Sequence, residues 1–152
     1  MPKAGLLYRL MRKLSPRIVQ NYQKGIGPTR MVLLLTTIGR KTGLPRVTPL
    51  QYEEVDGVLY VGSARGSRAD WFRNIQADPQ VKVQIGNRCF HGIAQPIETP
   101  AQVADFLELR LKHHPLFTGL VMRLEGLPLK YSRADLERFA AQKTMVKIQS
   151  PD

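Results

Sequence analysis

The sequence predicts an α+β domain: a small antiparallel β-barrel of about six short strands, covered by helices. Three observations predict it. Six segments carry strand patterning, and most are joined by short turn signals rather than crossovers. Helical spacing lies before, between and after these strands without alternating with them, which argues against a doubly wound parallel sheet. Finally, 152 residues with 43% hydrophobic content suffice for one domain with a packed core.

Apolar residues from Leu6 to Tyr22 recur at helical spacing, and Ser15-Pro16 divides them into two predicted helices. "GIGPTR" breaks the pattern, and "RMVLLLTT" reads as a buried strand. After "IGRKTG", "RVTPLQYEEV" reads as extended, with Pro49 marking an edge or a bulge. Asp56-Gly57 is a tight-turn signal, and "VLYVGS" is the hairpin partner. "ARGSRADWFRNIQADP" changes period: Ser67 with Asp70 predicts a capped helix start, Trp71, Phe72 and Ile75 share one face, and Pro79 ends the helix. "QVKVQI" and "CFHGIAQPIE" read as a second hairpin around "GNR". Thr99-Pro100 opens a helix with Val103, Phe106, Leu107 and Leu111 inward. An apolar helical stretch follows, then "SRADLERFAAQ" as a short capped helix and "MVKIQ" as the closing strand.

Charge narrows the function. The net charge is +11, and residues 1–46 hold ten Lys/Arg with no Asp or Glu, while the other 13 cations face 12 acids. The basicity is local, and its targets are polyanions: nucleic acid, an anionic membrane, or a phosphorylated or polycarboxylate small molecule. Aromatic side chains are not interleaved with the cations, which argues against nucleic acid. The single cysteine, Cys89, excludes an internal disulfide; its strand context predicts a small buried thiol, and a cytoplasmic setting is expected. No apolar run reaches the roughly 20 residues of a membrane span. The N-terminus is interrupted by cations too often for a secretory signal, and the basic helix there could rest on the inner face of a membrane. The expected division is a basic amphipathic helical segment, 1–27, and a barrel domain, 28–152.

The chemistry-bearing residues cluster after strands. The Gly-containing turn with Arg40, Lys41 and Arg46 offers backbone N–H groups and cations to an anion. A second small-residue loop, "GSARG", precedes the predicted helix start and offers further donors. Trp71 and Asn74 share a helix face, as core and cap or as the wall and anchor of a ring pocket. Neither His113-His114, whose adjacent side chains diverge, nor any acidic cluster has metal-ligand spacing, so no metal site is expected. His91 reads as a structural histidine, and Glu53-Glu54 as solvating residues beside a turn. No Ser-His-Asp or Cys-His arrangement is visible.

Taken jointly, "LLLTTIGRKTGLPRVTPLQY", "VLYVGSARG" and "ADWFRNIQADPQVKVQIGNR" resemble the deazaflavin (coenzyme F420)-dependent nitroreductase family, within the FMN-binding split-barrel superfamily. The resemblance covers residues 30–97 well and is looser beyond Thr99. It implies a split barrel and an oxidoreductase that moves hydride from reduced F420, a deazaflavin with a phosphodiester and a polyglutamate tail, to a quinone, nitroaromatic or other conjugated acceptor. It further implies that Arg40, Lys41, Thr42 and Arg46 bind phosphate and tail, and that Val47, Thr48 and Pro49 run past the ring. Gly62, Ser63, Ala64 and Arg65 would donate to ring or phosphodiester, and Trp71 and Asn74 would close the pocket. Where related proteins place tyrosines around the acceptor, this chain has Gln51, with Tyr131 beyond it. Ser63 and Tyr52 are the candidate proton donors. The competing reading is a non-catalytic split-barrel protein binding FMN, a tetrapyrrole or a lipid. A monomer or a homodimer fits either reading.

Overall fold

The computed structural model describes residues 16–25, 31–63, 68–97 and 99–149. Helix α1 covers residues 16–23; the expected helix before Ser15 lies outside the described residues. Six strands follow: β1 (Val32–Ile38), β2 (Pro45–Val55), β3 (Val58–Ser63), β4 (Gln80–Ile85), β5 (Arg88–Ile97) and β6 (Thr144–Gln149). Between β3 and β4 lies α2 (Asp70–Ala77), and between β5 and β6 lie α3 (Pro100–His113), α4 (Pro115–Leu124) and α5 (Arg133–Ala140). The strands close into an antiparallel barrel in the order β1-β2-β3-β6-β5-β4. This is the architecture expected from the sequence.

Local chemistry sets the turns. Asp56 and Gly57 both have positive φ, 52° and 79°, as a two-residue hairpin turn between right-twisted strands requires. Strand β2 pairs with β1 through Gln51 and with β3 only from Tyr52 onward. Pro49, which has no N–H to give, therefore sits where one side of β2 has no strand partner, the edge position its presence predicts.

Two cores result. Inside the barrel, Leu33, Leu35, Leu59, Val61, Val81, Val83, Val146 and Ile148 pack against Trp71, Phe72 and Ile75 of α2, which plugs the barrel. Outside it, Val103, Phe106, Met122, Leu136 and Met145 join α3, α4 and α5 to the outer face of β3 and β6. Because strand residues alternate between faces, β2 presents Leu50 and Tyr52 inward, and Val47, Pro49, Gln51 and Glu53 outward.

Three expectations are corrected here. Helix α2 has Ala69 at its N-cap with no side-chain cap, so no capping box forms with Asp70; Ser67 lies outside the described residues. Cys89 is exposed: Phe90 and Ala94 take the inward face of β5, so Cys89 and His91 alternate outward to solvent. Glu53 is 7% exposed and thus not a solvating residue, because α3 covers the outer face of β2 there.

Candidate functional site

The loop Gly39–Leu44 joins β1 to β2. Its shape comes from one turn of helix-like backbone: the Gly43 N–H donates to the Gly39 carbonyl at 2.7 Å, and the Gly39 N–H donates to the Leu44 carbonyl at 2.8 Å. Gly43 ends the turn at φ +70°, a conformation that glycine adopts without cost. Thr42 contributes its hydroxyl oxygen, which accepts from the Leu44 N–H at 3.3 Å. At Gly39, an added Cβ would lie 2.8 Å from that hydroxyl and 3.2 Å from the Leu44 carbonyl, so the closure needs glycine.

A clamp fixes this loop to α2. Asn74 Oδ1 accepts from the Arg40 backbone N–H at 3.2 Å and from Arg40 Nη1 at 3.0 Å. Its Nδ2 donates to the Thr37 hydroxyl at 3.1 Å. Arg40 Nη2 also donates to Asp70 Oδ1 at 3.3 Å. Asn74 and Thr37 are buried, so the bonds to Asn74 are shielded from competing water, whereas the Arg40–Asp70 pair lies at the surface. The clamp answers why Arg40 is arginine: its guanidinium reaches Asn74 Oδ1, Asp70 Oδ1 and, at 3.4 Å, the Asp70 carbonyl, all on one helix, and a single ammonium could not span them.

The site residues thus separate by task. Arg40 and Asn74 hold the loop, and Trp71 is core, edge-on to Phe72 with ring centroids 6.0 Å apart. Lys41, Thr42 and Arg46 are exposed. Among the described residues, the Lys41 ammonium and the Arg46 guanidinium have no hydrogen bond or ion pair, and the Lys41 and Thr42 amides have no acceptor. Lys41 and the two N–H groups stand exposed on one rigid turn, and Arg46 stands exposed at the start of β2, on the face it shares with Thr37 and Thr48 rather than with Val47.

From this turn the outward face of β2 leads away. Val47 is 39% exposed, and Pro49 and Gln51 are half-buried. Cross-strand neighbours Thr36 and Leu34 of β1 continue this face. Thr48 alternates to the barrel side with Leu50, so only its backbone shares the strip. Gln51 lies ~20 Å along the strand from Pro45.

There the strip meets a buried polar cluster that the sequence did not reveal. Arg110 of α3 is 5% exposed and donates through Nη2 to Gln51 Oε1. The His113 Nδ1 lies 2.8 Å from Glu53 Oε2, and His114 Nε2 lies 3.7 Å from Glu53 Oε1. Burial pushes the Arg110 guanidinium below its usual pKa, and the nearby Glu53 carboxylate opposes the shift. The readable signal was periodicity: Arg110 stands at helical spacing from Val103, Phe106 and Leu107, on the apolar stripe.

Gly62 faces α3, where an added Cβ would lie 3.2 Å from Phe106. Ser63 pairs in β3 with Thr144, while Ala64 and Arg65 lie outside the described residues. Tyr52 packs toward the barrel core, on the face opposite Gln51, and burial raises its pKa first among several causes, including Tyr22 and Glu54. Both facts weigh against it as a proton donor to anything on the outer strip. A separate depression of about 290 Å³, lined by Glu54, Leu59, Arg88, Phe90 and Ile148, lies at the opposite end of the barrel from the basic turn. On α4, Thr118 and Met122 are buried while Leu116, Phe117 and Leu120 are exposed, so the apolar run divides between core and surface. Among the described residues no group of three or more His, Cys, Asp or Glu is placed to hold a metal ion.

The family described as F420H(2)-dependent quinone reductase matches residues 7–129. The chain belongs to that family. Two curated relatives, F420H(2)-dependent quinone reductases of Mycobacterium tuberculosis strains H37Rv and CDC 1551, are each 38% identical over 69 residues, 43% of this chain. The chain spans about half the length of the relatives it matches, 46%. Among solved structures, an F420-H2 dependent reductase, FDR-A, superposes with TM-score 0.54 at 20% identity, covering 79% of this chain and 95% of that one. A conserved hypothetical protein from Mycobacterium tuberculosis gives TM-score 0.57 at 17% identity, covering 80% and 74%. These likenesses establish the split-barrel fold.

Proposed function

We propose that the protein is an oxidoreductase that passes hydride from reduced coenzyme F420 to a quinone, nitroaromatic or other conjugated acceptor. The observation that carries this reading is the clamped turn: it leaves Lys41, two amides and, at the start of β2, Arg46 exposed at the end of the barrel where an apolar strip begins. The donor set fits the cofactor. A phosphodiester and polyglutamate tail supplies several negative charges, and the exposed cations and N–H groups match them.

When bound, the reduced deazaflavin supplies the hydride. The protein's own residues bind and orient. Lys41 and Arg46, with the Lys41 and Thr42 amides, hold the anionic end. Val47 and Pro49 offer a flat, apolar surface for a ring. Gln51 stands farther along the same face, beside the acceptor. This division explains why no catalytic dyad is needed: placement and exclusion of water are the protein's contribution.

Fluorescence titration with oxidised F420, with FMN in parallel, tests the reading. The Lys41→Ala/Arg46→Ala double variant should weaken F420 binding at least about tenfold (~1.4 kcal/mol) while leaving the melting temperature unchanged. Arg40 is unsuited to this test because its loss would disturb the clamp. Binding of FMN alone would favour the non-catalytic split-barrel reading, and binding of neither would remove the enzyme assignment.

We further infer that the basic segment 1–27 rests on the inner face of an anionic membrane, near a lipophilic acceptor. Among the described residues no helix is long and apolar enough to cross a membrane, so attachment would be peripheral. Charge reversal at Arg9, Arg12 and Lys13 should abolish pelleting with vesicles containing anionic lipid. Undiminished pelleting of that variant would refute the idea.

A further inference from the structure

The Gln51 carboxamide has two chemically opposite ends, and its surroundings decide which end faces a ligand. Arg110 has only donors. The Gln51 oxygen must therefore be the end that meets Arg110 Nη2, and the amide NH2 must be the end directed elsewhere. Among the described residues that NH2 has no acceptor. Gln51 is half-buried and follows Val47 and Pro49 on the outward strip.

Arg110 is itself held from several sides. It lies over the Phe106 ring, 6.0 Å from its centroid. Phe106 in turn packs over Gly62, the position without a side chain. Glu53 supplies the opposing charge, and its carboxylate is bracketed by His113 and His114. One Glu53 oxygen, Oε1, is buried without a hydrogen bond among the described residues, so the charge is not fully spent on the histidines. A guanidinium so placed does not rotate freely, and neither does the amide it grips.

We propose that Arg110 is a positioning residue that locks Gln51 as a hydrogen-bond donor, so that its NH2 meets a carbonyl oxygen of the acceptor. This deepens the reading given above and depends on it for the reaction, though not for ligand binding. Two-electron reduction of a quinone adds one hydride, from the reduced deazaflavin that is oxidised in turn, and one proton, from solvent. The electron pair raises negative charge on a carbonyl oxygen before that proton arrives. A fixed N–H at that oxygen stabilises the charge where it develops, and costs no reorganisation because Arg110 has already set the amide. The acceptor class follows: compounds that present a hydrogen-bond-accepting oxygen, with quinones favoured over acceptors lacking one.

The experiment uses full-length protein and 1,4-naphthoquinone as the probe. Calorimetric titration of the cofactor-free protein measures probe binding, and steady-state assays with reduced F420 measure turnover. Gln51→Glu keeps an oxygen for Arg110 but removes the donor. It should bind F420 within about twofold of wild type, bind naphthoquinone at least about tenfold more weakly, and lose roughly a hundredfold in kcat. Arg110→Lys, which retains a donor toward Gln51, should preserve most of the rate, whereas Arg110→Met should lose about tenfold in kcat with KM for F420 unchanged. If Gln51→Glu does not fold, Gln51→Met removes the donor without adding charge and carries the same expectation. Wild-type behaviour of the Gln51 variant, or absence of naphthoquinone binding by the wild type, overturns the proposal. Probe binding that depends on Gln51, without turnover, sustains the donor assignment while refuting the F420 reading.

Discussion

Asn74→Ala should lower stability by about 3 kcal/mol, a fall of roughly 6–12 °C in melting temperature for a domain of this size. The carboxamide ties β1, the basic turn and α2 together. Its removal leaves the Thr37 hydroxyl, which is 0% exposed, without its donor. It also strips an acceptor from the Arg40 amide and guanidinium. Unmade bonds at buried groups cost more than made bonds contribute, because desolvation is not refunded. The turn would lose its anchor at the same time, so F420 affinity should fall together with stability. Asn74→Asp separates the two functions of the side chain. It keeps an acceptor for Arg40, and the Thr37 hydroxyl can rotate to donate instead. Its melting temperature should lie well above that of Asn74→Ala, with cofactor affinity near wild type. Thermal melts followed by titration decide it. A shift under 2 °C for the alanine variant would mean that the clamp does not hold the turn.

Much of the barrel was legible because its signals are local. Asp56-Gly57, the alternation in "QVKVQI" and the Ser132–Asp135 capping box depend on neighbours within a few residues, and local propensity and tertiary fold agree there. Pro49 announced a strand side without a partner for the same reason. What was not legible is which face of each strand a distant element covers. Period-two alternation places Cys89 and Ala94 on opposite faces, and Glu53 and Glu54 likewise, yet it does not say which face lies under a helix. Glu53 is buried only because α3, more than 40 residues later in the chain, packs over β2.

The candidate site shows the same limit. The sequence grouped Arg40 with Lys41 and Arg46 as cations for one anion, since type and spacing were all it offered. Folding makes them unequal: one is committed to Asp70 and Asn74, and two remain exposed. The commitment is what gives the other two a fixed geometry. A turn with three free cations would attract anions but would not orient them. The conversion of one charge into a structural tie links the composition of this segment to the binding role proposed for it.

Glu53→Ala should be the more damaging of the two glutamate truncations by a wide margin, costing about 3–5 kcal/mol, against less than about 0.5 kcal/mol for the exposed Glu54→Ala. The asymmetry arises because Arg110 would keep its charge in a place that is 5% exposed, with its nearest carboxylate gone. Such a loss measures the burial of an orphaned cation rather than the value of the pair. The double replacement Glu53→Leu/Arg110→Met removes both charges and fills the space with apolar atoms. It should regain most of the stability lost by Glu53→Ala. Melting temperatures for the single and double variants provide the cycle, and equal losses in Glu53→Ala and Glu54→Ala would show that the cluster carries no energetic weight. Recovery of stability in the double variant without recovery of acceptor reduction would show why the cluster is charged at all. An apolar plug can join α3 to the barrel as firmly, but it has no donor to fix the Gln51 oxygen and turn its NH2 toward the acceptor.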